Sequence, residues 1–153
     1  MVITIDGLST NGKTTLSTML AKHYNLYNFN TGLIYRIISF KILKDNLNIE
    51  DKHAILEALN SWDLLLQDEN VYLDGVSIKN ELYTNNIDYY STKWGGIEYI
   101  KEFVRKFQKN AIEKGNIIME GRDIGTRIAP NADIKFYLYA DFDIRVKRIQ
   151  HKY

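Results

Sequence analysis

The stretch that decides the fold lies near the N-terminus and reads Gly7-Leu8-Ser9-Thr10-Asn11-Gly12-Lys13-Thr14. It matches the pattern G-x-x-x-x-G-K-[ST] at every fixed position. In this pattern, which we call the P-loop, successive backbone N–H groups surround a phosphate at a helix N-terminus, where unpaired donors and the helix dipole favour an anion. The alternative is a glycine-containing turn that precedes a helix, with a solvated lysine.

The residues on both sides of the P-loop provide the context that the pattern requires. Val2 to Ile5 is a short β-branched run and predicts a strand, and Thr15 to His23 has apolar residues at helical spacing. We therefore predict that the chain binds a nucleoside triphosphate, with Lys13 on the β- and γ-phosphates and the Thr14 hydroxyl on Mg²⁺. The predicted binding residues are Gly7, Leu8, Ser9, Thr10, Asn11, Gly12, Lys13, Thr14 and Thr15.

The composition is that of an ordinary globular domain. The chain has 153 residues, of which 45% are hydrophobic and 25% charged, and a formal net charge of +1. This near-neutral charge excludes a global basic field for a long nucleic acid, so local donors must capture any anionic partner. The absence of cysteine excludes thiolate nucleophiles, disulfides and cysteine metal sites. The segment Met1 to Asp6 has no basic start and no long apolar run, so we expect neither a signal peptide nor a membrane span. We therefore expect the protein to be cytoplasmic.

The rest of the chain alternates between helical and strand patterns. Two short, continuous apolar runs, Ile117 to Met119 and Ile134 to Leu138, are typical of strands that are covered on both faces. The other predicted elements are helices at Leu33 to Lys44, Asp51 to Leu59 and Ile97 to Lys114, and a hairpin of Asp63 to Gln67 with Val71 to Leu73 around Asp68-Glu69-Asn70. Together they predict an α/β fold with a parallel sheet and a small insertion between the second helix and the long one.

A second cluster of charged residues follows the first of these apolar runs. Glu120 directly follows the run and could hold a water of the Mg²⁺ shell, although a strand-terminal glutamate that faces solvent is the alternative. Two of the six arginines of the chain, Arg122 and Arg127, lie in the seven residues from Gly121 to Arg127. A loop at the carboxyl end of a strand is where open α/β sheets bind ligands, and guanidinium groups bind phosphate bidentately. The alternative is a solvated salt bridge within the loop.

Two further segments resemble a known family. Phe29-Asn30-Thr31-Gly32-Leu33-Ile34-Tyr35-Arg36 resembles Asp-(Thr/Ser)-Gly-Ala-Met-Tyr-Arg, and Glu120-Gly121-Arg122-Asp123-Ile124-Gly125-Thr126 resembles Asp-Gly-Arg-Asp-Ile-Gly-Thr, both of the bacterial cytidylate kinases. With the P-loop, three segments match in the family's order, and the similarity extends through residues 89–102 and 130–148. The resemblance implies transfer of the γ-phosphoryl group of ATP to CMP or dCMP, with Mg²⁺, to give ADP and CDP or dCDP.

The resemblance also implies a fold and a domain organisation. It predicts a single P-loop kinase domain over residues 1–153, with the three-layer α/β/α arrangement of P-loop NTP hydrolases and an inserted NMP-binding region at about residues 62–96. The family continues beyond this point into an arginine-bearing lid, a last strand and a final helix, and the sequence as given lacks those segments. We therefore expect the chain alone to bind ATP but to be a weak or inactive kinase unless another segment completes it.

Residue by residue, the resemblance places Arg36 on the phosphate of the acceptor nucleotide, with Thr31 beside it and Arg122 in the same cluster. Asp123 would accept from the exocyclic amine of cytosine, a pairing that carboxylates also make in nucleic-acid readout. Thr92 stands where the family has a serine that faces the base. The predicted catalytic residues are Lys13, Arg36 and Arg122, and the predicted Mg²⁺ residues are Thr14 and Glu120, the latter through water.

The sequence departs from the family's pattern at four positions besides Thr92. Thr10 replaces a P-loop glycine, Asn30 replaces the aspartate before Thr31, and Glu120 replaces an aspartate. Lys101 replaces an arginine that faces the base, and the loss of that fork of donors could relax the choice between cytosine and uracil. Two alternatives stay open, a P-loop kinase of another small acceptor and a nucleotide-binding module without catalysis. Small-molecule nucleotides are the predicted partners, with no nucleic acid, membrane or obligate protein partner.

Overall fold

The computed structural model describes residues 1–67 and 70–150. The predicted turn residues Asp68 and Glu69, and the last three residues of the chain, lie outside the described residues. The chain divides into two compact units, one of Met1–Thr31 with Arg105–Tyr153 and the other of Gly32–Val104. The predicted inserted region at about 62–96 falls within the second unit.

The described elements follow one another in this order: β1 (Val2–Gly7), α1 (Lys13–Tyr24), β2 (Tyr27–Asn30), α2 (Thr31–Lys44), α3 (Lys52–Ser61), β3 (Leu64–Gln67), β4 (Asn70–Leu73), β5 (Val76–Ser77), α4 (Asn85–Trp94), α5 (Glu98–Glu113), β6 (Ile117–Gly121), β7 (Ile134–Leu138) and α6 (Phe142–Gln150). A short 3₁₀ helix, Glu81–Tyr83, precedes α4, and a π-helical turn, Ile124–Ile128, follows β6. Over the described residues, no helix combines the length and the hydropathy that crossing a bilayer requires.

A parallel sheet of four strands forms the centre of the first unit, in the order β2-β6-β1-β7. The register aligns Ile5 of β1 and Asn30 of β2 with Glu120 of β6, so the carboxyl ends of these three strands meet at one edge of the sheet. Ile3, Ile5 and Ile118 are buried, and α1 packs against this sheet. The predicted α/β class with a parallel sheet is confirmed.

The prediction that both late strands are covered on both faces is right for β6 and wrong for β7. The side chains of Ile117 to Glu120 are buried, whereas Phe136 is 38% and Tyr137 is 69% exposed. The physical reason is helix coverage, because α1 packs against β6, β1 and β2, and no helix of the described residues packs to a similar extent against β7. The apolar run at β7 indicated strand propensity, which an edge strand and a central strand share.

The second unit contains a three-stranded antiparallel sheet in the order β3-β4-β5. The predicted hairpin is confirmed, with Leu64 paired to Leu73, and the sequence analysis missed β5. Asp74 and Gly75 connect β4 to β5 with φ of 52° and 77°, the left-handed pair that a two-residue hairpin turn favours. Helix α4 was likewise not predicted; its N-terminus is capped by the Thr84 side chain, which accepts from the Ile87 N–H.

Candidate active site

The P-loop connects β1 to α1 and has the backbone conformation that its glycines permit. Gly12 has a φ of 89° and directly precedes α1, which begins at Lys13. A Cβ atom on Gly7 would lie 2.4 Å from the carbonyl oxygen of Leu138, so only glycine fits there. The N-terminus of α1 has no side-chain cap and no acidic residue in its first turn. An anion is therefore a favourable partner for the N–H groups at this helix end.

Hydrogen bonds to residues outside the loop hold the P-loop in place. The Asn11 side chain donates to the Leu138 carbonyl oxygen at 2.6 Å. From α6, Arg145 donates to the Ser9 carbonyl oxygen at 3.1 Å and Arg148 to the Thr10 carbonyl oxygen at 2.8 Å. These bonds fix the path of the loop and bring two guanidinium groups next to it, which adds positive charge beside a predicted phosphate site.

Thr10, which stands where the family has glycine, adopts the left-handed φ of 62° that glycine adopts freely. Its hydroxyl donates to the Ser9 carbonyl oxygen at 2.6 Å and so stabilises the local conformation. Thr10 therefore has a backbone conformation that glycine at this position could also adopt.

Lys13 folds back over the P-loop, and its ammonium group donates to the Leu8 carbonyl oxygen at 2.7 Å. Burial lowers the pKa of Lys13, and the nearby positive charge of Arg122 lowers it further, while the negative charges of Glu120 and Asp6 oppose the shift. The Lys13 ammonium group is thus partly removed from water at the place where the motif predicts the phosphates.

Thr14 and Glu120 lie together, as expected for a shared Mg²⁺ site. The Thr14 hydroxyl donates to Glu120 Oε2 at 3.1 Å, and Glu120 is only 3% exposed. Burial raises the pKa of Glu120, against the opposing effects of the Thr14 hydrogen bond and the Lys13 charge. Glu120 Oε1 is buried and has no hydrogen-bond partner among the described residues.

These two residues fit Mg²⁺. Within residues 1–67 and 70–150, no group of three or more histidine, cysteine or acidic side chains could hold a metal ion alone. Mg²⁺ typically takes one or two protein oxygens and completes its shell with water and substrate phosphates. The Thr14 hydroxyl and the Glu120 carboxylate, one oxygen of which is buried without a hydrogen-bond partner among the described residues, agree with that requirement.

The loop from Gly121 to Arg127 alternates between exposed and buried residues. Arg122 and Asp123 are exposed, and Ile124 and Gly125 are buried. Asp123 Oδ2 forms an ion pair with Arg127 Nε at 3.3 Å, with both side chains more than half exposed. The salt bridge that was the alternative interpretation of this loop therefore exists for Arg127. Arg122 is exposed and lies close enough to Lys13 for its positive charge to lower the pKa of Lys13.

Thr31 lies at the first position of α2, and its hydroxyl accepts from the Gln108 side chain at 2.9 Å. Both residues are buried, with exposures of 8% and 4%. The sequence analysis did not include Gln108. The available signal was a polar residue on the apolar stripe of α5, four residues after Val104 and three before Ala111.

The other predicted acceptor residues, Arg36, Thr92 and Lys101, lie in the second unit. Arg36 forms an ion pair with Asp88, donates to the Leu82 carbonyl oxygen at 2.8 Å and lies over the Tyr83 ring. The hydroxyl of Thr92 donates to the backbone carbonyl oxygen of Asp88 at 3.0 Å. Asp88 thus links Arg36 to Thr92, and the sequence analysis missed it because nothing in the pattern of α4 distinguishes it.

Lys101 lies in the first turn of α5 and pairs with Glu98 at 3.7 Å. The predicted acceptor residues thus divide between the units, because Thr31, Arg122 and Asp123 belong to the first unit.

Comparison with known proteins identifies the family. A sequence model of the family described as cytidylate kinase matches residues 3–152. The cytidylate kinase of Caldanaerobacter subterraneus subsp. tengcongensis is 36% identical over 146 residues, which cover 95% of this chain and 65% of that protein. That of Caldicellulosiruptor bescii is 34% identical over 150 residues, which cover 95% of this chain and 66% of that protein.

A longer relative contains the same region. The bifunctional pantoate ligase/cytidylate kinase of Prochlorococcus marinus is 30% identical over 152 residues, which cover 96% of this chain and 30% of that protein. The chain spans about two thirds of the length of the single-function relatives it matches. With the family match extending over almost every residue and the P-loop, Glu120 and the Gly121–Arg127 loop in place, the chain belongs to the cytidylate kinase family.

Proposed function

We propose that the protein transfers the γ-phosphoryl group of ATP to CMP or dCMP, giving ADP and CDP or dCDP. The observation that supports this most directly is the Thr14–Glu120 hydrogen bond at the carboxyl edge of the sheet, with the Lys13 ammonium nearby. This pair fits the Mg²⁺ complex of a nucleoside triphosphate. The exposed Arg122 and Asp123 belong to the same unit and supply a guanidinium and a carboxylate for an acceptor nucleotide.

The proposed reaction asks the protein for positioning and charge neutralisation rather than covalent chemistry. The acceptor monophosphate is largely dianionic near neutral pH and is itself the nucleophile, so no general base is needed. Lys13 would hold the β- and γ-phosphates, and Arg36 and Arg122 the acceptor phosphate. Bound Mg²⁺ would supply neutralisation of the triphosphate charge, held by Thr14 and, through water, by Glu120.

Selection of the base would fall to three side chains. Asp123 accepts hydrogen bonds when ionised and so fits the exocyclic amine of cytosine, which uracil lacks. Thr92 and Lys101 would face the same base. Lysine offers a point charge where the family's arginine offers a planar fork, so we infer weaker discrimination between cytosine and uracil than an arginine would give.

A panel of acceptors tests this function. With ATP and Mg²⁺ present, we expect CMP and dCMP to bind and to accept phosphate at least tenfold better than AMP or shikimate, with UMP intermediate. Binding is measured by calorimetry and transfer by coupled ADP release. Preferential binding of, or transfer to, shikimate or AMP would instead identify a kinase of another acceptor. ATP binding with neither binding of nor transfer to any acceptor would identify a non-catalytic module, whereas CMP binding with slow transfer agrees with the weak activity expected of this chain alone.

Arg36 gives a more specific prediction. Replacing Arg36 by alanine removes the charge-assisted hydrogen bonds to the acceptor phosphate, so the dissociation constant for CMP should rise about tenfold to hundredfold while ATP affinity stays within twofold. Asp88→Asn should bind CMP at least as tightly as wild type, because it removes the carboxylate that competes with phosphate for Arg36. Lys44→Ala, at the exposed end of the same helix, is the control. Equal loss of ATP and CMP binding in Arg36→Ala would contradict the assigned role.

A further inference from the structure

A buried carboxylate near the end of β1 has so far entered only through the effect of its charge on Lys13. Asp6 is only 7% exposed. Its Oδ1 accepts from the backbone N–H of Ile124 at 2.9 Å, and its Oδ2 accepts from the backbone N–H of Gly125 at 2.8 Å. Both oxygens of one carboxylate therefore bind neighbouring N–H groups on a segment more than a hundred residues away along the chain.

These two N–H groups directly follow the residues assigned to the acceptor nucleotide. They open the π-helical turn Ile124–Ile128, whose own preceding residue, Asp123, forms no side-chain cap. Asp6, in β1, thus caps the N-terminus of this turn with its side chain. Hydrogen bonds from N–H groups to an ionised acceptor are about twice as strong as neutral ones, and two of them fix orientation as well as position. The Asp6 carboxylate thereby fixes the backbone next to Arg122 and Asp123.

Gly125 completes this attachment. A Cβ atom on Gly125 would lie 2.7 Å from Thr4 Oγ1 and 3.3 Å from Asp6 Oδ2. Real Cβ atoms do not approach another heavy atom as closely as 2.7 Å, so a larger residue would push the loop away from β1. The glycine is therefore required for the close approach that lets Asp6 reach both N–H groups.

We propose that Asp6 is a positioning residue that holds the Gly121–Arg127 loop, so that Arg122 and Asp123 present the correct geometry to the acceptor nucleotide. The proposal rests on the proposed function for the identity of that nucleotide. Because Gly7 directly follows Asp6, the P-loop and the acceptor loop are attached at consecutive residues of one buried strand. Loss of the Asp6 charge removes a negative charge near the triphosphate site, so it does not weaken ATP binding electrostatically.

The test compares Asp6→Asn with Asp133→Asn. The asparagine at position 6 keeps the shape but turns an NH₂ group toward one of the two N–H donors, which breaks that bond. Asp133 is the matched control, since its exposed carboxylate accepts the Val2 N–H at 2.7 Å at the other end of the same strand. Gly125→Ala is the second variant, because it displaces the same loop without changing a charge.

Amide hydrogen exchange and nucleotide affinities decide the outcome. In Asp6→Asn and Gly125→Ala, amide hydrogen exchange at residues 124 and 125 should accelerate about tenfold or more, CMP affinity should fall about tenfold, and the preference for CMP over UMP should shrink. ATP affinity should stay within about threefold, and Asp133→Asn should behave as wild type. Unchanged exchange at both amides, or parallel loss of ATP and CMP binding, would overturn the proposal. If wild type does not bind CMP, the proposed function fails, and the exchange rates still decide whether Asp6 holds the loop.

Discussion

Replacing Lys13 by methionine is expected to lower ATP affinity about tenfold to hundredfold, the usual cost of losing a charge-assisted hydrogen bond to a charged group. The ammonium donates within the P-loop at 2.7 Å, and burial lowers the pKa of Lys13. Burying this cation in the P-loop therefore destabilises the folded protein when no ligand is bound. Methionine retains the aliphatic stem and loses only the charge, so the ligand-free variant should unfold at the same temperature as wild type or higher.

Calorimetric titration with ATP and a thermal melt of the ligand-free protein measure both parts of this expectation. Lys22→Met is the control, because Lys22 lies exposed in the last turn of the same helix. That variant should bind ATP as wild type does. If Lys13→Met instead keeps ATP affinity within threefold of wild type, the loop is not a phosphate site, and the alternative of a solvated lysine beside a helix cap is right.

The sequence predicted the first unit better than the second for a physical reason. β1, the P-loop and α1 follow one another within the first 24 residues, so local pattern contains most of the relevant information. β5 has two residues and α4 has only two buried ones, which is too little apolar periodicity to recognise. The Asp74-Gly75 dipeptide was a usable turn signal for β5, and it was overlooked.

The site itself shows the same division between local and long-range information. The P-loop motif and the charged loop after β6 were visible in the sequence, and the predicted meeting of Thr14 with Glu120 is found in the structure. The link from Asp6 to Ile124 joins residues 118 positions apart, through backbone N–H groups that no residue type reveals. Such contacts depend on which strands become neighbours in the sheet, and local pattern does not specify that order.

Glu120→Gln is expected to weaken the effect of Mg²⁺ on ATP binding without lowering the stability of the ligand-free protein. In wild type, Mg²⁺ should tighten ATP binding, and in the variant most of that effect should be lost, a change of about tenfold or more. The ligand-free variant should nevertheless be at least as stable as wild type near neutral pH, because it no longer buries a carboxylate charge. Titrations with ATP in Mg²⁺ and in EDTA, and chemical unfolding without ligand, measure the two effects. Glu113→Gln, exposed at the end of α5, is the control.

The pH dependence of the stability difference between wild type and Glu120→Gln follows from the raised pKa of Glu120. Burial raises the pKa of Glu120, so the folded protein binds this proton more tightly than the unfolded chain does. The contribution of Glu120 to stability is therefore full below the ordinary glutamate pKa and is lost as pH rises through the raised one. The stability advantage of Glu120→Gln should accordingly grow over that window, while the Mg²⁺ effect in wild type should weaken as pH falls through it. An advantage that shrinks with rising pH would mean that the Glu120 carboxylate is stabilised by Lys13 and Thr14 rather than penalised by burial.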